Sequence, residues 1–293
     1  MGQYSIKELE RLSGIKAHTI RIWEKRHNII SPQRTATNIR YYSDEDLKKI
    51  INVSMLNTQG VRISKIAKLS AEEINKIILE KSESKSDSSL YVDQLVVAMV
   101  SMEEELFEKT LDKVVKKIGF EESVTQIIYP FMEKIGVLWQ TKKINPAQEH
   151  FISNLIRQRI IVSIAGLPLP GKKAKKAILF LPEGEVHEIG LLFFNYLTRK
   201  RGINTLYLGQ SVPYQDLKSV YKLHQPTLLI TSFISSPGPT ALEKYILQLS
   251  RDFPKSLILA SGLLIRNTAF TVPKNVKTFY KASDLPALLS PVV

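Results

Sequence analysis

The chain contains no cysteine among its 293 residues. This absence excludes disulfides, a thiol nucleophile and thiolate metal sites. The chain also lacks the G-x-S-x-G, Walker A and G-x-G-x-x-G sequences, so hydrolase and dinucleotide-dependent redox functions have little support. We therefore expect a protein that is not an enzyme.

Long apolar runs are missing as well. No run approaches the roughly 18–20 residues that are needed to span a bilayer. Residues 1–8 show no apolar segment of a secretory signal. We expect a soluble protein of the cytoplasm with no membrane partner.

Acidic residues are few relative to basic ones. Lysine and arginine total 41 against 28 aspartates and glutamates, a formal net charge of +13, which favours an anionic partner. Residues 11–43 hold seven basic side chains and one acid. The seven are Arg11, Lys16, Arg21, Lys25, Arg26, Arg34 and Arg40. Their concentration predicts a nucleic-acid-binding head.

Composition divides the chain into four stretches. Residues 1–80 show helical patterns with short basic loops, and residues 81–89 form a polar, serine-rich linker. Residues 90–168 have helical periodicity, whereas residues 169–293 alternate short apolar strands with helix-length segments. We therefore expect a multidomain fold in which the first two domains are of the α class and the last is of the α/β class.

The last stretch contains five strand candidates separated by helical segments, which predicts a parallel, doubly wound sheet. They are Ala177–Leu181, Thr205–Leu208, Leu228–Ser232, Leu257–Ala260 and Val276–Phe279. Ligands of such sheets bind at the carboxyl ends of the strands. We expect a ligand site at that edge.

The basic head has the pattern of a winged helix-turn-helix. Ser5 begins a predicted helix that ends at Gly14, and residues 17–26 predict a second helix. Two short helices around a glycine turn indicate a helix-turn-helix, whose second helix enters the major groove. Turn residues then flank a β-prone stretch, which predicts a wing that lays Arg34 and Arg40 along phosphates.

Three short sequences in the head resemble the winged-helix domain of MerR-type regulators. They are Thr19–Arg26, Pro32-x-Arg34 and Arg40–Tyr42, within a resemblance over about residues 3–75. It implies binding to double-stranded promoter DNA. The expected DNA contacts are Lys16, His18, Thr19, Arg21, Arg34, Arg40 and Tyr41; the alternative for the basic side chains is a solvated surface. Trp23 stands where most of the family has tyrosine, a change common in its cobalamin-sensing branch, and we expect it in the core.

The sequence directly after the first strand is the most informative of the second half. Glu185, His187 and Gly190 follow that strand, and histidines are few, which suggests a ligand site. Forty-one residues separate Gly190 from Ser232-Phe233-Ile234, and Ser261-Gly262 follows after a further 26. This series resembles the D-x-H-x-x-G, S-x-L and G-G motifs of cobalamin domains in methionine synthase and corrinoid proteins. Here the acid is one methylene longer and a serine replaces the first glycine.

The resemblance implies a role for each of these residues. The His187 imidazole would be the lower axial ligand of cobalt, and Glu185 would fix its tautomer. Gly190 would let the backbone lie close to the corrin. Ser232 would hydrogen-bond the displaced nucleotide tail and Gly262 would leave room for it, in a tunnel that Ser261 narrows. The alternative is a helix-start histidine paired locally with Glu185 in an unliganded sheet.

The helical stretch adds a second resemblance, to the four-helix bundle of the same family. Trp139, Glu149 and His150 match the residues that cap the upper face of the cofactor. The alternative is a core tryptophan and an exposed Glu-His pair on a helix. Gln140 stands where light sensors of this group can have a histidine that ligates cobalt after illumination, so trapping of a bis-histidine photoproduct is not expected.

From these resemblances we expect a cobalamin-responsive transcriptional repressor. Adenosylcobalamin is the favoured cofactor, and a response to light is left open. The family also implies a homo-oligomer, a dimer or a tetramer, that grips repeated or palindromic operators. One alternative keeps the DNA-binding head but acts without cobalamin, through protein–protein interaction. Another is a corrinoid carrier for a methyltransferase, which would have no use for Arg21, Arg34 and Arg40.

Overall fold

The structure is a computed structural model that describes residues 3–58, 60–70, 73–74, 77, 88–140 and 145–290, of which 137–140 are described by their backbone alone. The chain divides into two compact units, residues 1–155 and residues 156–293. In the parts of the chain so described, no helix has the length and apolar character needed to cross a membrane.

The head at the start of the first unit has the predicted helix-turn-helix and wing. Helix α1 begins after Ser5, whose amide donates to Glu8 Oε2 (2.6 Å) in a capping box, and it ends at Gly14, with φ of 73°. Its elements are α1 (Ile6–Ser13), α2 (Ala17–His27), the antiparallel wing strands β1 (Gln33–Arg34) and β2 (Arg40–Tyr41), α3 (Asp44–Thr58) and α4 (Ile63–Ile66). Trp23 is buried, which confirms its prediction as a core residue.

Helices follow, as predicted for the middle of the chain. They are α5 (Ser88–Ser101), α6 (Glu104–Ile118), α7 (Phe120–Ser123), a π-helical turn (Val124–Ile128), α8 (Tyr129–Gln140) and α9 (Pro146–Ala165). Ile127, Ile128, Phe131 and Ile135 are buried along one face, as their spacing predicts. Helix α5 begins at Ser88, inside the predicted linker, and the rest of that linker (residues 81–87) lies outside the described residues.

The second unit is a five-stranded parallel sheet, and all five predicted strands are present. Its elements are β3 (Lys176–Pro182), α10 (Ile189–Lys200), β4 (Asn204–Val212), α11 (Tyr214–His224), β5 (Leu228–Ser232), α12 (Pro239–Asp252), β6 (Leu257–Ser261), α13 (Leu263–Asn267), β7 (Val276–Thr278), a 3₁₀ turn (Ala282–Asp284) and α14 (Leu285–Leu289). The strand order is β4-β3-β5-β6-β7. Chain order therefore reverses direction between β3 and β5, and this is the switch point at which such sheets bind ligands.

Strand β4 is longer than predicted. The sequence Gly209-Gln210-Ser211 has the composition of a turn, yet it continues alongside β3 to Val212. The pairing absorbs the extra residues through register shifts after Leu179 and Phe180, with positive φ at Gly209 and Ser211. A β-bulge of this kind is not readable from apolar periodicity.

Candidate functional site

Two loops meet at the switch point of the sheet. One follows β3 and contains Glu185 and His187; the other follows β5. The Glu185 side chain has no exposed surface. Its Oε2 accepts hydrogen bonds from the backbone amides of Ile234 (2.8 Å), Ser235 (2.6 Å) and Ser236 (3.1 Å). The carboxylate therefore ties the histidine-bearing loop to its neighbour.

The other oxygen of Glu185 binds the histidine. Oε1 lies 2.5 Å from His187 Nδ1 and also accepts from the backbone amides of Val186 and His187, each at 3.1 Å. Burial disfavours the ionised carboxylate, but the hydrogen bonds from Ser235, His187 and Ser236 outweigh it and hold the pKa of Glu185 at about 2. The carboxylate is ionised at neutral pH, so Nδ1 must donate its proton to it.

This hydrogen bond determines what the imidazole offers to a ligand. With the proton on Nδ1, the neutral ring carries a free lone pair on Nε2. The His187 side chain is 56% exposed, whereas the carboxylate that orients it is buried. An oriented imidazole with an open nitrogen is the arrangement found at metal-bound histidines backed by a carboxylate. The His187–Glu185 pair is itself local in sequence, and the contacts of Glu185 with the loop after β5 anchor its carboxylate.

The glycines of the motif differ in what surrounds them. A Cβ at Gly190 would meet no atom within 4 Å, so packing among the described residues does not require a glycine at this position. A Cβ at Gly262, where φ is +113°, would stand 2.3 Å from the carbonyl oxygen of Phe233. Gly262 is therefore required by the packing of the protein's own backbone, a reason that the sequence did not reveal.

Two serines end neighbouring strands beside these glycines. Ser232 of β5 pairs in register with Ser261 of β6, and both are buried. The Ser261 hydroxyl donates to the carbonyl oxygen of Phe279 (2.9 Å). The extra hydroxyl of Ser261 therefore has a partner within the protein, on the side of β7. The role of Ser232 toward a nucleotide tail stays a prediction.

The carboxyl edge of the sheet also exposes apolar side chains. Val186, Leu263 and Tyr280 follow β3, β6 and β7, and each is exposed. In the described part of the chain, no cluster of three or more histidine, aspartate or glutamate side chains could hold a metal ion by itself. One exposed imidazole, with exposed apolar side chains at the same edge of the sheet, suits a metal ion that is already held in a macrocycle. These residues fit a cobalt corrinoid.

The three residues predicted to cap the upper face belong to the first unit. Trp139 and Gln140 lie in the last turn of α8, but their side chains are outside the described part of the structure. Glu149 and His150 lie in the first turns of α9. Glu149 accepts from the Ser153 hydroxyl (2.7 Å), and its other oxygen lies 3.3 Å from Nδ1 of the exposed His150. Their role toward a cofactor stays a prediction.

The head brings together two of the predicted DNA contacts. Arg21 of α2 and Arg40 of the wing line one open cleft of about 420 Å³, together with Lys25, Asn28 and Ser31. Lys25 and Asn28 were not among the predicted contacts, although the run of basic residues in α2 was a signal for Lys25. The carboxylate of Glu24 also lines the cleft, so its three cationic side chains face one acid and its net charge is positive. A positive cleft suits a phosphate of the DNA backbone.

The other predicted DNA contacts lie at the start of α2 or in the wing. The guanidinium of Arg34 donates to Oδ1 of Asn38 (2.6 Å), which orders the wing turn. Lys16 pairs with Glu10 (3.1 Å) at the surface. His18 is exposed, whereas Thr19 and Tyr41 are half-buried. The basic side chains Lys16, Arg21, Arg34 and Arg40 are exposed, as a DNA-facing surface requires.

One contact group beside the histidine was not predicted. Glu188 accepts hydrogen bonds from Arg157 of α9 and from the Tyr207 hydroxyl of β4 (3.0 Å). Arg157 is 31 residues away in sequence, and nothing in the local pattern pairs it with Glu188.

Comparison with known proteins finds two family matches within the first 162 residues. Residues 4–73 match the MerR HTH family of regulatory proteins, and residues 91–162 match a B12 binding domain that begins in α5. The chain is 25% identical to the HTH-type transcriptional repressor CarH of Myxococcus xanthus over 260 residues, which is 87% of this chain and 86% of the repressor. It is also 25% identical to the HTH-type transcriptional repressor CarA of the same organism, over 80% of this chain and 77% of that one.

A solved structure has a similar fold over a large part of the chain. The monomethylamine corrinoid protein of Methanosarcina barkeri superposes with a TM-score of 0.56 and 16% sequence identity, over 71% of this chain and 100% of that protein. At this identity the likeness shows the fold alone. The chain thus combines a MerR-type helix-turn-helix domain with a B12-binding domain, and it is homologous to the CarH and CarA transcriptional repressors.

Proposed function

We propose that this protein is a cytoplasmic, DNA-binding transcriptional repressor whose DNA affinity and oligomeric state respond to bound cobalamin, with adenosylcobalamin as the favoured form. The observation that carries the proposal is the imidazole of His187, held by a buried, ionised Glu185 at the switch point of the sheet. Support comes from the two matched domains and from relatives that are named as transcriptional repressors.

His187 Nε2 is the atom that would bind the cobalt of cobalamin. Glu185 keeps the proton on Nδ1, so Nε2 remains open, and the negative charge raises the basicity of the ring. A Cβ at Gly190 would meet no atom within 4 Å, and this open space supports the proposal that the macrocycle approaches the backbone there. When bound, cobalamin supplies a cobalt centre with an upper ligand that can be exchanged or lost. Trp139, Glu149 and His150 are proposed to contact that upper ligand.

The protein is proposed to read the bound state of the cofactor without turnover. A ligand shifts an equilibrium between two assemblies only through its different affinity for them. We propose that the chain with bound cobalamin forms a dimer or tetramer whose paired heads grip promoter DNA, and that this assembly would weaken if the cofactor lost its upper ligand. Gln140 cannot replace a lost upper ligand with an imidazole, so a lasting bis-histidine product is not part of the proposal.

Adding adenosylcobalamin to the purified full chain in the dark tests the proposal. The expected result is a shift of the cofactor spectrum, a larger assembly by light scattering and tighter binding to promoter DNA, all absent in His187→Ala. Green illumination of the same sample tests the light response. If addition of adenosylcobalamin in the dark changed neither the cofactor spectrum nor the size of the assembly, the proposal would be overturned. Repression that is fully retained by His187→Ala in cells would favour a regulator that works without cobalamin.

A further inference from the structure

His187 lies in a segment without regular secondary structure, and a buried carboxylate stands at each end of it. Glu185 ties the start of this segment to the loop after β5, as described above. Glu188 ends the segment and is 7% exposed. Its backbone carbonyl accepts from the amide of Leu192 (2.8 Å), so it is also the residue that begins α10. A half-exposed imidazole is thus bracketed by two anchored residues.

Both oxygens of the Glu188 carboxylate have a partner on a different element. Arg157 Nε of α9 donates to Oε1, and the Tyr207 hydroxyl of β4 donates to Oε2 at 3.0 Å. Burial and the neighbouring Glu188 carboxylate raise the pKa of Tyr207, so its hydroxyl keeps the proton that it donates. The carboxylate is therefore held from two directions.

The charge of Glu188 makes these contacts costly to break. A buried carboxylate is tolerated when a cation and hydrogen bonds compensate it, and removing one partner leaves the other uncompensated. The Arg157 side chain is 46% exposed and supplies the positive charge from the surface of α9. Glu188 cannot move without leaving Arg157 and Tyr207, and it carries the peptide that joins it to His187.

We propose that Glu188 is a positioning residue for His187. Its contacts with Arg157 and Tyr207 hold the His187 peptide in place. The Nδ1 hydrogen bond to Glu185 is thereby maintained, and Nε2 is left to bind the ligand. Arg157, which lies on α9, becomes a remote determinant of the ligand geometry. The inference rests on the proposed function, because it takes Nε2 as the atom that binds cobalt.

The chain offers a matched control for a Glu188 variant. Asp252 accepts from the Tyr214 hydroxyl (3.0 Å) and pairs with Lys218 Nζ (3.2 Å). It therefore has one tyrosine and one cation as partners, as Glu188 does, but it ends α12 and, within the described part of the chain, it makes no hydrogen bond or ion pair with residues 185–188. Glu188→Gln and Asp252→Asn remove the same charge from the same kind of contact.

Nitrogen NMR of histidine-labelled, cobalamin-free protein gives a readout that does not need the cofactor, with His187→Ala used to assign the signals. In the wild type and in Asp252→Asn, the His187 ring is expected to carry its proton on Nδ1. In Glu188→Gln, that fraction should fall toward the Nε2-protonated form of a free imidazole. The Kd for hydroxocobalamin should rise roughly tenfold in Glu188→Gln and stay within about twofold of wild type in Asp252→Asn.

Arg157→Met is a second variant, in which the substituted side chain is half-exposed and the buried Glu188 keeps Tyr207 as a partner. Its folding is checked by urea unfolding before the Kd is measured. If Arg157 acts through Glu188, the Arg157→Met substitution should change the Kd for hydroxocobalamin less in the Glu188→Gln background than in the wild type. Wild-type tautomer and wild-type affinity in both single variants would overturn the inference. Failure of the wild type to bind hydroxocobalamin would instead overturn the proposed function, and the tautomer comparison would still decide whether Glu188 positions the histidine.

Discussion

Gly262 lies so close to the peptide of Phe233 that a Cβ added to it would stand 2.3 Å from the Phe233 carbonyl oxygen and 2.7 Å from its carbonyl carbon. Phe233 follows β5 and Gly262 follows β6, so this approach joins the carboxyl ends of two neighbouring strands. The Leu264 amide donates to the same carbonyl oxygen (3.0 Å). The glycine is therefore part of the scaffold that supports the site.

Gly262→Ala is expected to destabilise the second unit. The new methyl group meets backbone atoms that cannot rotate away, and φ of +113° is a conformation that alanine rarely adopts. The free energy of unfolding should fall by about 3 kcal/mol or more. Urea unfolding of the cobalamin-free chain measures the loss. Wild-type stability of this variant would contradict the packing described at Gly262.

Gly190→Ala is expected to behave in the opposite way. Its Cβ meets no atom within 4 Å, and alanine favours the helix that it joins, so stability should be unchanged or higher by up to about 1 kcal/mol. The methyl group would project into the space proposed for the corrin. Affinity for hydroxocobalamin should fall about tenfold, the effect of about 1.4 kcal/mol. Undiminished affinity, measured by titration of the cofactor spectrum, would show that the macrocycle does not approach Gly190.

Tyr42 predicts an alkaline limit to the stability of the head. Burial, with a further contribution from Glu24, raises the pKa of Tyr42 from 10.0 to about 12. The pKa of Tyr42 is higher in the folded state than in the unfolded state. The stabilisation of the head by the protonated Tyr42 hydroxyl is therefore complete below pH 10 and is lost as the pH rises toward 12. The loss should reach about 3 kcal/mol.

Urea unfolding at a series of alkaline pH values measures this effect. Tyr42→Phe should unfold with a flatter pH dependence in that window, because it has no hydroxyl to ionise. Tyr280→Phe, at an exposed position, is the control and should keep the wild-type slope. Equal slopes for Tyr42→Phe and the wild type would contradict the burial of the Tyr42 hydroxyl against Glu24, which lies 3.2 Å away.

Arg40→Ala is expected to weaken DNA binding without changing its sequence preference. Arg40 lines the cleft with Arg21 and Lys25, where a phosphate contact is proposed. Loss of one such contact should reduce the slope of log affinity against log salt by about 1. Lys255→Ala removes the same charge from an exposed position of the second unit and serves as the control. An unchanged salt slope for Arg40→Ala, measured by fluorescence anisotropy, would exclude Arg40 from the phosphate contacts.

The fold was largely predictable because its signals are local. Ser5 and Gly14 delimit α1 through a capping box and a left-handed residue, both of which are properties of short sequences. The strands from β3 to β7 are short apolar runs bounded by turns, and five of five were found. The extension of β4 to Val212 was missed, because a β-bulge depends on the partner strand and not on the pattern of β4 itself.

The positions of the motif residues at the end of the first strand were predictable, but their contacts were not. The spacing of Glu185, His187 and Gly190 placed them after the first strand, where the structure has them. The binding of Glu185 to three amides of the next loop depends on strand order, which the sequence does not state. The contact of Glu188 with Arg157 depends on where α9 lies, so no local pattern could indicate it.

Coordination of cobalt by Nε2 of His187 is most directly measured by electron paramagnetic resonance of the full chain loaded with cobalamin in its cobalt(II) form. An axial nitrogen of natural abundance splits each cobalt line into a triplet. Selective labelling of histidine with nitrogen-15 is expected to turn the triplet into a doublet, and His187→Ala should abolish that doublet. A triplet that persists in the labelled protein would show that the axial nitrogen is not a histidine and would contradict the account.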